Sequence, residues 1–86
     1  MTKPEADFIA NIMENAGKNV EVRDDYSGRG MFGKTTCGVV VDSELLVISA
    51  LLAYAKELSE DGPYIGEMPE FDTLRHDNMG KQMIIY

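Results

Sequence analysis

Apolar residues recur at two different spacings along this chain, and the change of spacing marks its elements. Phe8, Ile9, Ile12, Met13 and Ala16 return every three or four positions and so share one face of a helix. Thr2 and Glu5 stand at capping-box spacing ahead of that run, Pro4 fits a first turn, and Gly17 is placed to end the helix. The period then drops to two. Val20 and Val22 alternate with Glu21 and Arg23, the pattern of a half-buried strand packed on the first helix. Residues 35–41 are β-branched or small throughout, which predicts the returning strand of a hairpin. Gly38 inside that run predicts a bulge or the close approach of another backbone.

Asp42 or Ser43 is predicted to cap a second helix, with Glu44 in its first turn, running to about Asp61 before Gly62 and Pro63 stop it. Leu45, Leu46, Val47, Ile48, Leu51, Leu52, Ala53 and Ala55 leave it almost no polar stripe, so it should be buried on more than one side. Two occupants fit the surplus: the C-terminal segment of the same chain, or a second copy, giving a homodimer through the 45–55 helix. Residues 64–72 read as an exposed acidic loop carrying Glu67, Glu70 and Asp72. A short strand over 73–76, a turn over 77–80 and a final strand over 81–86 complete the chain. The expected fold is α+β in the order α-β-β-α-β, a single domain over residues 1–86 with a small antiparallel sheet packed against two helices.

Composition narrows the function. Eighty-six residues with 44% hydrophobic content hold one modest core, near the size at which a domain is only marginally stable alone. A net charge of −7 argues against a direct grip on nucleic acid, which needs clustered Lys and Arg, and fits a basic partner better. The single Cys37 makes no internal disulfide, and no cysteine–histidine cluster suggests a metal. The charged N-terminal stretch lacks the apolar run of a secretory signal, and the longest apolar run is too short to span a bilayer. Together these predict a cytoplasmic protein with no membrane association.

The candidate chemistry sits in the segment between the two hairpin strands. Residues 28–35 match the phosphate-binding pattern G-x-x-x-x-G-K-[ST], and Gly28, Gly30 and Gly33 also match G-x-G-x-x-G. Both patterns need a helix directly after the loop, whose free N–H groups face the phosphate. Here β-branched residues follow Lys34 instead, and Asp24 and Asp25 precede the loop with charge that would repel phosphate. A glycine-shaped hairpin loop with no cofactor is therefore expected. Arg29 and Lys34 place positive charge beside it, and Arg29 either recognises an anion or pairs with Asp24 or Asp25. Met31 and Phe32 put apolar side chains at the loop tip, where they must fold back or meet a partner. Arg75, His76 and Asp77 are consecutive on a strand and so do not form a ready acid–base pair. If the last strand joins the hairpin, the loop around Asn78 is expected near the glycine loop. The predicted interaction face is then Tyr26, Arg29, Met31, Phe32, Lys34, Arg75 and Asn78.

The stretch from Tyr26, reading Y-S-G-R-G-M-F-G-K-T, and the R-H-D-N-M-G stretch from Arg75 resemble motifs of small uncharacterised proteins encoded by bacteriophages and related mobile elements. The likeness covers about a fifth of the chain. It implies a viral accessory protein without enzymatic activity, meeting an unidentified host or phage protein and modulating a host factor. Two alternatives stand beside that expectation: a phosphate- or nucleotide-binding protein using the glycine segment, and an acidic inhibitor that mimics DNA charge.

Overall fold

The computed structural model describes residues 1–28, 31–60 and 68–86. Six elements follow one another as α1 (Lys3–Asn15), β1 (Val20–Tyr26), β2 (Thr36–Asp42), α2 (Leu45–Ser59), β3 (Phe71–Asp77) and β4 (Gly80–Ile85). The α+β class with two helices on an antiparallel sheet is as the pattern predicted. The order is α-β-β-α-β-β, one strand more than the expected α-β-β-α-β, because the short strand expected over 73–76 is a full seven residues and pairs with β4 as a sheet member.

The start of α1 is built as its sequence dictates. The Thr2 hydroxyl accepts from the Glu5 N–H at 3.3 Å, and the Glu5 carboxylate accepts from the Thr2 N–H at 3.0 Å. The helix ends at Ala16, followed by Gly17 at φ 83°, a left-handed conformation that costs glycine no steric penalty. α2 departs from expectation at its start. Neither Asp42 nor Ser43 caps it; the N-cap is Glu44, with no side-chain capping bond. Asp42 is already committed to the sheet, pairing with Gln82 in β4 and accepting from the Gln82 amide at 3.0 Å. The predicted stop of α2 at Asp61, Gly62 and Pro63 lies outside the described residues.

Strand order is β1-β2-β4-β3, antiparallel throughout. Ala6, Ile9, Ala10 and Met13 of α1 and Ile48, Leu52 and Ala55 of α2 pack on Val39, Val41, Met83 and Ile85 from one face of the sheet. Val40 and Ile84 alternate to the opposite face and are also buried, outside that cluster. Gly38 explains part of this. A Cβ there would lie 2.8 Å from the Ile84 Cδ1 and 3.2 Å from the Ile85 carbonyl oxygen, so the missing side chain is the space Ile84 leans into. The close approach predicted at Gly38 is thus made by β4.

Both edge strands are bulged. In β1 the register shifts between Arg23 and Tyr26, opposite Gly38 and Thr36, so Asp24 and Asp25 together face one residue of β2. In β3 it shifts between Thr73 and Arg75, leaving Leu74 as the extra residue against β4.

Candidate functional site

The register fixes what lies at each end of the sheet. The loop between β1 and β2 leaves from Tyr26 and returns at Thr36, while Asp42 at the other end of β2 pairs with Gln82 near the start of β4. The 77–80 turn between β3 and β4 therefore lies at the Asp42 end, about 20 Å from the glycine loop at the usual strand rise of about 3.3 Å per residue. The sequence-based expectation that the loops around Arg29 and Asn78 sit together is corrected: β4 does join the hairpin, but antiparallel to β2, so its turn is carried to the far end. Arg75 and Asn78 thus stand apart from Tyr26, Met31, Phe32 and Lys34. Arg29, with Gly30, lies outside the described residues, and so does its proposed pairing with Asp24 or Asp25.

In the glycine loop the described backbone turns on itself. The Lys34 N–H donates to the Met31 carbonyl at 3.0 Å, and the two residues between them have positive φ, 51° at Phe32 and 84° at Gly33. An i to i+3 bond around two positive φ values is the signature of a type I′ turn, whose first central position favours Asn, Asp or Gly. Phe32 occupies it and is 97% exposed. Met31 instead folds back: its Sδ accepts from the Gly28 N–H at 2.9 Å, and its own N–H donates to the Gly28 carbonyl at 3.2 Å. The N–H groups of Gly28, Met31 and Lys34 are thus all engaged inside the loop. Residues 36–42 after it are strand, and the helix a phosphate loop requires does not follow Lys34.

Beside this loop the structure gathers residues that the sequence reading had not joined. The Tyr26 ring meets the Tyr86 ring with centroids 5.1 Å apart and planes tilted by 48°. Tyr26 also folds over Gly28, where a Cβ would come within 2.9 Å of its ring. Tyr86 exchanges two backbone hydrogen bonds with Glu70, at 3.0 and 2.8 Å, which extends the β3–β4 pairing by one step. The Tyr86 phenol is held above its ordinary pKa, first by burial, then by the nearby charge of Glu70, by Tyr26 and by Asp72, and by its hydrogen bond to Glu70. One end of the sheet therefore carries an aromatic pair, two carboxylates and a projecting phenylalanine. Tyr86 is the residue sequence reasoning missed. Its contact with Tyr26 depends on β4 lying beside β2, which no local pattern encodes.

At the far end, the Arg75 guanidinium pairs with the Asp77 carboxylate at 3.4 Å, both about half exposed, a geometry worth little in stability. His76 and Asp77 line an open hollow of about 410 Å³ with Glu44, Leu45, Leu46, Gly80 and Lys81. The Asp77 carboxylate accepts from the Met79 N–H at 2.8 Å and shapes the turn, and Gly80 follows at φ 128°. Cys37 is a half-buried free thiol packed against the core. Among the described residues no group of three His, Cys, Asp or Glu is arranged to hold a metal ion, and no helix is long and apolar enough to cross a membrane.

No protein-family model matches the chain, and neither the curated proteins nor the solved structures contain a significant match to it.

Proposed function

We propose that this chain is a small phage-type accessory protein that works by protein–protein contact, through the glycine-loop end of its sheet, to modulate a host factor in the host cytoplasm. The observation that carries the reading is Phe32. A fully exposed aromatic residue in a turn position that disfavours it costs the free protein both apolar hydration and backbone strain, and such outliers persist where they serve a contact. Tyr26 and Tyr86, paired where that loop leaves the sheet, supply further aromatic surface. Lys34, exposed on the same loop, and Glu70 and Asp72 supply a charged rim. The engaged N–H groups of Gly28, Met31 and Lys34 favour this reading over a phosphate cradle, which needs them free.

The test starts from a photoreactive phenylalanine analogue at position 32, used to trap the partner in host lysate, followed by titration of the purified partner. Phe32→Ala should weaken binding by about 2 kcal/mol or more, roughly thirtyfold, with folding retained. The acidic-mimic reading draws support from the net charge of −7 and makes the opposite forecast. Under it, loop substitutions matter little, while neutralising Glu70 and Asp72 weakens binding and flattens its salt dependence. Binding unchanged by Phe32→Ala at both low and high salt would sink the loop-contact reading.

A further inference from the structure

The face of α2 turned away from the core is nearly free of charge in a strongly acidic chain. Ile48, Leu52, Ala55 and Ser59 form the buried stripe, and Leu46, Ala50, Ala53 and Glu57 repeat the same four-three-four spacing on the outward side. Leu46 is 81% exposed and Tyr54, beside Ala50 and Ala53, is 53% exposed. With like-charged copies of net charge −7, an uncharged patch is where two molecules can approach.

The stripe is also self-complementary, as a two-fold interface must be. Leu46 stands four residues before Ala50 and Tyr54 four after it, so the pattern is large, small, large about a central alanine. Two antiparallel copies crossing at Ala50 would set Leu46 against the partner's Tyr54, with small side chains at the crossing where the helices come closest. The same register carries Glu57 to the start of the partner helix, beside Ser43. Parallel pairing would set Glu57 against Glu57 and Tyr54 against Tyr54. The outward face exposes roughly 500 Å² per copy, so pairing would bury at most about 1,000 Å² in total, the lower limit of a specific interface.

We infer that two copies of this chain pair antiparallel through the outward face of α2, with the two-fold axis passing close to Ala50. α2 runs from the Asp42 end of the sheet towards the glycine-loop end, so this dimer directs its two Phe32 tips in opposite directions. It becomes a bivalent connector able to join two partner molecules.

Sedimentation of the whole chain under reducing conditions tests the pairing without reference to any partner. The wild type should be mostly dimeric at about 100 µM, which requires a dissociation constant of about 10 µM or tighter. Ala50→Arg, which places two like charges on the axis, should weaken association at least tenfold and leave the circular dichroism spectrum unchanged. Leu46→Glu, at an exposed position, serves as a second disruptive variant should Ala50→Arg fail to fold. A wild type that stays monomeric at that concentration overturns the inference. So does a dimer indifferent to both substitutions, since its contact would lie on another face.

Discussion

A bulky side chain forced to positive φ costs about 1–2 kcal/mol, because its Cβ crowds the following carbonyl. Phe32 bears that cost at φ 51° with almost no contact in return, and Gly33 beside it has none to bear. Replacing Phe32 by Asn, which tolerates the same backbone, should therefore raise the unfolding temperature, by about 1 kcal/mol of stability or several degrees for a domain of this size. Under the loop-contact proposal the same change should also remove partner binding. Stability and function are thus expected to move in opposite directions at one residue, and a Phe32→Asn variant that melts lower than wild type would show that Phe32 is supported by contacts within the fold. The place of Phe32 at the loop tip was legible from the glycines around it. Its strain was not, because φ at a loop tip is set by the closing hydrogen bond between Met31 and Lys34 and not by the residue itself.

The elements divide by how local their causes are. α1 was legible to its caps, since Thr2, Glu5 and Gly17 act within a few residues of one another. The hairpin was legible from its alternation, although β1 runs on to Tyr26 through two aspartates that a bulge accommodates. The start of α2 was misplaced because Asp42 and Ser43 are better capping residues than Glu44, and only the pairing of Asp42 with Gln82, forty positions away, removes Asp42 from that role. An uncapped start leaves room for improvement. Glu44→Ser should stabilise the domain by about 1 kcal/mol by giving the first-turn N–H groups an acceptor, whereas Thr2→Ala should cost about as much by dismantling the cap of α1. Chemical denaturation of the two variants checks both signs, and a Glu44→Ser variant no more stable than wild type would mean that solvent already satisfies that helix end. Strand β3 was legible only in its middle because every residue in it is exposed, so burial imposes no alternation on its sequence.

For the whole molecule, the position of the two turns at opposite ends of the sheet was the least legible feature. It follows from strand order, and strand order is a long-range choice made by the helix layer and by Gly38, which admits β4 beside β2. The same order leaves β1 and β3 as the free edges, and both are broken by an extra residue and lined with charge from Glu21, Arg23, Asp24 and Asp25 on one side and Asp72, Arg75 and Asp77 on the other. Such rims do not offer the straight ladder of backbone groups on which further strands stack. At high concentration these kinks should therefore hinder edge-to-edge stacking of copies. Deleting Leu74 should straighten one rim, and the shortened chain, incubated at high concentration, should seed thioflavin-positive fibrils that the intact chain does not. If it forms none, the protection resides in the charges alone.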